Sequence, residues 1–212
     1  MIRFHLVTAA FLSVLFATLF GCRMASPPVS YYILEPIRQE QTVASAKAEQ
    51  TVVAVGIRHI ELPGYLNRLA IVRRSGERQV EIESLHRWAD YLDRMVQQTI
   101  RANLQVLMPH ASVIITPWPV GLKPDVILDY QFLELIGGPD QTMRMKVEWT
   151  VYDQSRPAPP KTHRLNLTES MKGTRFDALA AAHSAVLESL CRKTIESLSA
   201  LSKDAQSTEI RN

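Results

Sequence analysis

The apolar residues of this chain change their period three times, and that order of periods limits the architectures open to it. Thr51 to Leu62 (TVVAVGIRHIEL) alternates and is rich in β-branched residues, the period-2 pattern of a half-buried strand. Pro63-Gly64 breaks it and Tyr65 to Arg68 turns the chain. Ala70 to Arg73 is a short strand, Ser75-Gly76-Glu77 a turn, and Gln79 to Glu83 the returning hairpin partner. The spacing then becomes helical through Trp88, Tyr91, Leu92, Met95, Thr99, Ile100, Asn103, Leu104 and Leu107. Ser84 is the expected cap and Pro109 the stop, with Arg87, Asp90, Arg94, Gln98 and Arg101 on the opposite face.

The second half repeats the order. Val113 to Ile115 is a strand, and Pro117, Pro119 and Pro124 mark an irregular loop holding Trp118. Val126 to Leu135 reads as a strand, Gly137 to Asp140 as a turn, and Thr142 to Tyr152 as a strand that puts Met143, Met145, Val147, Trp149 and Val151 on one face. Arg164 to Thr168 is a last strand. Phe176, Leu179, Ala180, His183, Val186, Leu187, Leu190 and Leu198 define a second amphipathic helix. Strands, helix, strands, helix predict an α+β domain: a mixed, mostly antiparallel sheet with two amphipathic helices packed on one face. Tyr31 to Leu34 is a further strand candidate, stopped by Pro36, and Arg38 to Gln50 a polar, alanine-rich surface connection.

The N-terminus is built differently. Arg3 precedes an almost unbroken apolar run from Leu6 to Phe20. Its length suits the core of a signal peptide, about 7–15 residues, and falls short of the about 20 that a spanning helix wants. Leu19-Phe20-Gly21-Cys22 resembles the bacterial lipobox, with a small residue directly before the cysteine and Leu three before it. Phe20 departs from the small or branched residue usual there. The resemblance implies cleavage before Cys22, a diacylglycerol on its thiol and a third acyl chain on the new N-terminus. Acyl burial stabilises anchoring by about 0.8 kcal/mol per CH₂, so three chains hold where one is marginal. The alternative is an ordinary secreted protein with an incidental cysteine. Arg23 stands where some bacteria place an inner-membrane retention aspartate. The expected place is therefore the inner leaflet of the outer membrane, facing the periplasm. The divisions expected are 1–21 signal peptide, 22–30 lipidated N-terminus and tether, 31–201 domain, and 202–212 polar tail.

Composition excludes several functions. The formal net charge of the 212-residue chain is +3, about +2 once Arg3 is removed, and the basic residues are scattered, so nucleic acid is not an expected partner. Cys22 and Cys191 are the two cysteines, too few for a disulfide framework. If Cys22 is acylated, Cys191 stands alone and is expected buried in a helix. The chain has no G-x-S-x-G, no H-E-x-x-H, no CxxC and no glycine-rich phosphate loop. None of the six histidines pairs with another at metal-ligand spacing. His59 and His183 could serve catalysis only if they met in space, and a satisfied core or boundary histidine is the simpler reading. Asp125 and Asp129 share a strand face by period 2, but Asp125 follows Pro124 and is more simply a turn residue. Trp88 with Tyr91 could line a pocket, and core packing is favoured over it. No enzyme, metal or cofactor is expected.

A resemblance is carried by Tyr32-Ile33-Leu34, Val55-Gly56-Ile57, Leu62-Pro63-Gly64-Tyr65-Leu66-Asn67-Arg68, Ile71-Val72-Arg73, Arg87-Trp88-Ala89, and Asn103-Leu104 before Pro109. In that order and spacing they resemble the auxiliary lipoproteins of ABC-type and mammalian-cell-entry (MCE) transport systems, the paraquat-inducible protein C (PqiC, YmbA-like) group among them. The resemblance covers about Tyr31 to Pro109; beyond it only the order of strands and helix matches. It implies a non-enzymatic subunit of a system that carries phospholipid between the two membranes and supports membrane integrity, docking a periplasmic MCE conduit protein. The alternative is an envelope-assembly or cell-wall lipoprotein without a transport role. The expected contact residues are Leu62, Pro63, Tyr65, Leu66 and Arg68. Two readings stand for that turn: Tyr65 and Leu66 project for a partner, or they tuck back over the sheet edge. A homo-oligomeric ring around the conduit is a further expectation, from a small domain meeting a symmetric tube.

Overall fold

The computed structural model describes residues 27–38, 54–156 and 158–209, with side chains described as far as residue 200. The expected signal peptide, Cys22 and most of the connection at 39–50 lie outside the described residues. Among those described, eight strands and two helices follow one another: β1 (Ser30–Tyr32), β2 (Ala54–Glu61), β3 (Ala70–Arg74), β4 (Val80–Trp88), α1 (Leu92–Leu107), β5 (Ser112–Ile115), β6 (Val126–Gly137), β7 (Thr142–Asp153), β8 (Lys161–Ser170) and α2 (Phe176–Glu209). The class is α+β, as the periods predict. The strands divide into two sheets, not one, ordered β1-β4-β3 and β5-β2-β6-β7-β8. The division follows from β4, which pairs antiparallel with β3 and, on its other side, parallel with β1.

That pairing also corrects the start of the first helix. Ser84 to Trp88 were expected as its cap and first turn, but they extend β4, with His86 opposite Ser30 and Trp88 opposite Tyr32. Pairing with a strand from far back in the chain overrides the local helical spacing. α1 begins at Leu92 without a side-chain cap. Trp88 is buried, as core packing requires, whereas Tyr91 is exposed and lies beside the Arg94 guanidinium. At the other end, α2 continues to Glu209 through most of the segment expected as a polar tail from Ser202.

Both helices lie on one face of the larger sheet. Met143, Met145, Val147, Trp149 and Val151 are all buried, as their alternation predicts. They pair across the ladder with Gly137, Leu135, Phe132, Tyr130 and Leu128 of β6. Tyr130 donates its hydroxyl to Thr194 Oγ1 at 3.2 Å, and Trp149 Nε1 donates to Ser197 Oγ at 3.2 Å. The two bonds tie the sheet to α2 without leaving those polar atoms unpaired in the core. Cys191 is buried there as expected, and burial pushes its thiol up to about 12.

The opposite face of this sheet is polar, with Arg58 paired to Asp129 and Arg164 Nε to Glu148 at 2.6 Å. Over β2 it is covered by the proline loop. A Cβ added to Gly56 would stand 2.7 Å from Pro124 Cγ and 2.8 Å from Trp118 Cη2, so only glycine admits that loop. The segment after β1 crosses the helix layer instead: Glu35 N–H donates to Ser184 Oγ at 2.9 Å and Ile37 N–H to Asn103 Oδ1 at 2.8 Å.

Candidate functional site

The turn at Leu62–Arg68 joins the two sheets, and its backbone fixes which side chains face outward. Leu66 N–H donates to Pro63 O at 2.8 Å, closing a four-residue turn with Tyr65 in its third place. Asn67 Nδ2 donates to Asp93 Oδ2 at 3.2 Å, pinning the turn to α1. The two residues at the tip of the turn part ways: one is buried and the other stays at the surface. Leu66, 2% exposed, tucks into the core with Leu62, because apolar burial outweighs display. Tyr65 stays 39% exposed, with Pro63 and Arg68 half-buried beside it.

Tyr65 stands close to a cluster that sequence reasoning missed. Glu134 of β6 is buried, and its two carboxylate oxygens are taken by Arg74 Nη2 of β3 and Lys146 Nζ of β7, each at 2.9 Å. Burial pushes this carboxyl up, but the hydrogen bond and charge of Lys146, with Arg74 and Arg144, outweigh it and hold the group below its ordinary value. Burial raises the Tyr65 phenol and the Glu134 charge adds to that, against a smaller opposing effect of Arg74. A register shift in β6 between Phe132 and Glu134 accompanies the exposure of Leu133. The turn thus presents an exposed aromatic close to a buried carboxylate held by two partly exposed cations. Such a surface suits recognition, with an apolar anchor and charges already fixed in place. The only sequence signal for it was Glu134 within an apolar strand.

The residues weighed for catalysis do not assemble. His59 is exposed, 4.0 Å from Glu61. His183 is buried on α2 against the Trp88 ring, with Nδ1 2.9 Å from the Leu179 carbonyl, and burial pushes it down to about 4 despite that contact and one with the Leu135 backbone. Asp125 Oδ2 accepts the Ala54 N–H at 2.8 Å at the start of β2, and Asp129 is taken by Arg58. Among the described residues, no group of three or more His, Cys, Asp or Glu is placed to hold a metal. No described helix is long and apolar enough to cross a membrane.

The chain is similar in fold to a crystal structure of an uncharacterized protein at TM-score 0.67 and 17% identity, covering 81% of this chain and 99% of that one. It is equally similar to a Xanthomonas campestris protein of family DUF330, at TM-score 0.67 and 11% identity, covering 84% and 99%. A PelC dodecamer from Paraburkholderia phytofirmans is more distant, at TM-score 0.38 and 16% identity over 68% and 92%. No curated protein matches the chain. The model of one family, described as the ABC-type transport auxiliary lipoprotein component, matches residues 32–194, from β1 to the middle of α2. That is not a known enzyme family, and the chain belongs to it: it is an ABC-type transport auxiliary lipoprotein component.

Proposed function

We propose that this protein is the outer-membrane lipoprotein subunit of an MCE-type intermembrane phospholipid transport system, docking the periplasmic conduit protein and supporting membrane integrity. Acyl chains on Cys22 hold it in the inner leaflet of the outer membrane, facing the periplasm, and copies assemble as a homo-oligomeric ring around the conduit. Family membership supports a transport role without catalysis. The observation that carries the docking role is the surface around Tyr65: an exposed aromatic on a turn hydrogen-bonded to α1, beside Glu134 held between Arg74 and Lys146. A rigid aromatic of this kind loses little entropy on binding and anchors an interface.

The test is crosslinking in intact envelopes through a photoreactive residue at position 65, followed by mass spectrometry of the captured partner. Recovery of an MCE protein supports the reading. Capture of cell-wall or assembly proteins alone would replace it with a role in envelope assembly. Light scattering that finds only monomers in mild detergent would remove the ring.

A further inference from the structure

The first described residues carry a row of apolar side chains that the domain does not use. Val29, Tyr31 and Ile33 are 37%, 62% and 60% exposed, while the intervening Tyr32 is half-buried against His86 and Leu34 is buried. Positions i, i+2 and i+4 of an extended chain share one side. Here the inner side closes the core and the outer side is left apolar and open. Pro27-Pro28 immediately precede the row and hold the chain stiffly extended.

Chain length decides what meets this row. Val29 lies seven positions beyond Cys22, a span that reaches about 25 Å at full stretch. A domain of this size has a radius of gyration of about 15 Å and is therefore wider than that tether is long. With acyl chains on Cys22 in the bilayer, the end of the domain that bears the row faces the membrane. The charges alongside are neutralised in pairs, Glu35 by Arg38 at 3.6 Å and Asp177 by Arg175 at 3.2 Å, so this end brings no net repulsion to a lipid surface. Tyrosine beside aliphatic side chains suits the headgroup boundary, where an apolar ring body and a polar hydroxyl are both satisfied.

We infer that Val29, Tyr31 and Ile33 form a membrane-interface contact that seats the domain in one orientation on the bilayer holding its anchor. The inference rests on the lipid-anchored reading of Cys22. The clamps at Glu35 and Ile37 then pass the orientation of β1 to both helices, and the domain does not swivel on its tether.

Nitroxide accessibility tests this on the full mature lipoprotein in vesicles of phosphatidylethanolamine and phosphatidylglycerol. Cys191 is buried with a raised pKa and should not take label, so Ile33→Cys and, separately, Val120→Cys each report one site. Val120 is fully exposed on the loop covering the sheet face away from the helices. The label at 33 should favour collision with oxygen over a water-soluble nickel chelate, and the label at 120 the reverse. Mass spectrometry of the N-terminal peptide reads acylation in the same sample. Acylated protein whose position 33 collides with nickel as position 120 does would overturn the inference alone. A position 33 shielded from both reagents would also overturn it, since protein and not lipid would then cover the row. An unmodified Cys22 would overturn the anchored reading and the inference together.

Discussion

Ile37 N–H donates to Asn103 Oδ1 at 2.8 Å, and so the chain just beyond β1 is held by a buried side chain of α1. Asn103 is the means by which a segment near the N-terminus becomes part of a domain whose core lies much later in sequence. Asn103→Ala should leave the Ile37 N–H without its acceptor and cost about 1–3 kcal/mol. Chemical denaturation should show a lower midpoint with an unchanged slope. Protection of the Ile37 amide in hydrogen exchange should fall more than that of amides in β7.

His183 sets an acid dependence. Burial pushes its folded-state value down to about 4 from an ordinary value near 6.5, so between those limits the unfolded chain binds a proton that the folded protein does not. Stability is full above pH ~6.5 and falls as pH drops toward ~4, by an order of about 3 kcal/mol over the window. His183→Gln should flatten the dependence between pH 6.5 and 4.5, measured by urea denaturation across pH.

Glu134 acts lower on the pH scale. Its carboxyl is held below the ordinary value, so its stabilisation is present above about pH 4.5 and is lost as pH falls through the depressed folded value. Glu134→Gln should leave Arg74 and Lys146 without a counter-charge and cost about 1–3 kcal/mol at neutral pH. The variant and the parent should converge in stability at the acid end of the titration.

Gly56→Ala should displace the loop over β2, because the added methyl meets two ring systems with little freedom to yield. The expected cost is about 1–3 kcal/mol. Trp118 should become more exposed, seen as a red shift in fluorescence emission against the buried Trp88 and Trp149.

Neighbouring positions in the turn should separate stability from recognition. Leu66→Ala opens the core and should cost about 2–5 kcal/mol. Tyr65→Ala, at a side chain 39% exposed, should cost less, about 1 kcal/mol, yet reduce recovery of the conduit protein from crosslinked envelopes. Equal losses of stability in the two variants would count against a contact role for Tyr65.

What the sequence discloses is the part of the fold governed by local period. β7 and its five inward side chains are legible because one face packs and the other does not, and α2 because its apolar stripe is long. Trp88 shows where that reading stops. A residue at helical spacing becomes the end of a strand because β1, more than fifty positions earlier, offers a partner. The division into two sheets is non-local for the same reason. The ion triad drew residues from three strands, and neither Arg74 nor Lys146 carries any mark of it in sequence. The burial of Cys191 was legible because it falls on the apolar stripe of α2, whereas the part Asp125 plays, accepting the Ala54 N–H at the start of β2, depends on a residue far earlier in the chain and was not.

Among the described residues, the five-stranded sheet ends at β8, whose one strand partner is β7. An edge strand of this kind could recruit another chain, a hazard when many copies crowd a two-dimensional surface. Lys161, Arg164 and Glu169 put exposed charges along that strand. A neighbour approaching edge-on would have to strip water from charged groups before any backbone bond could form, which favours packing at high surface density without zippering into aggregates.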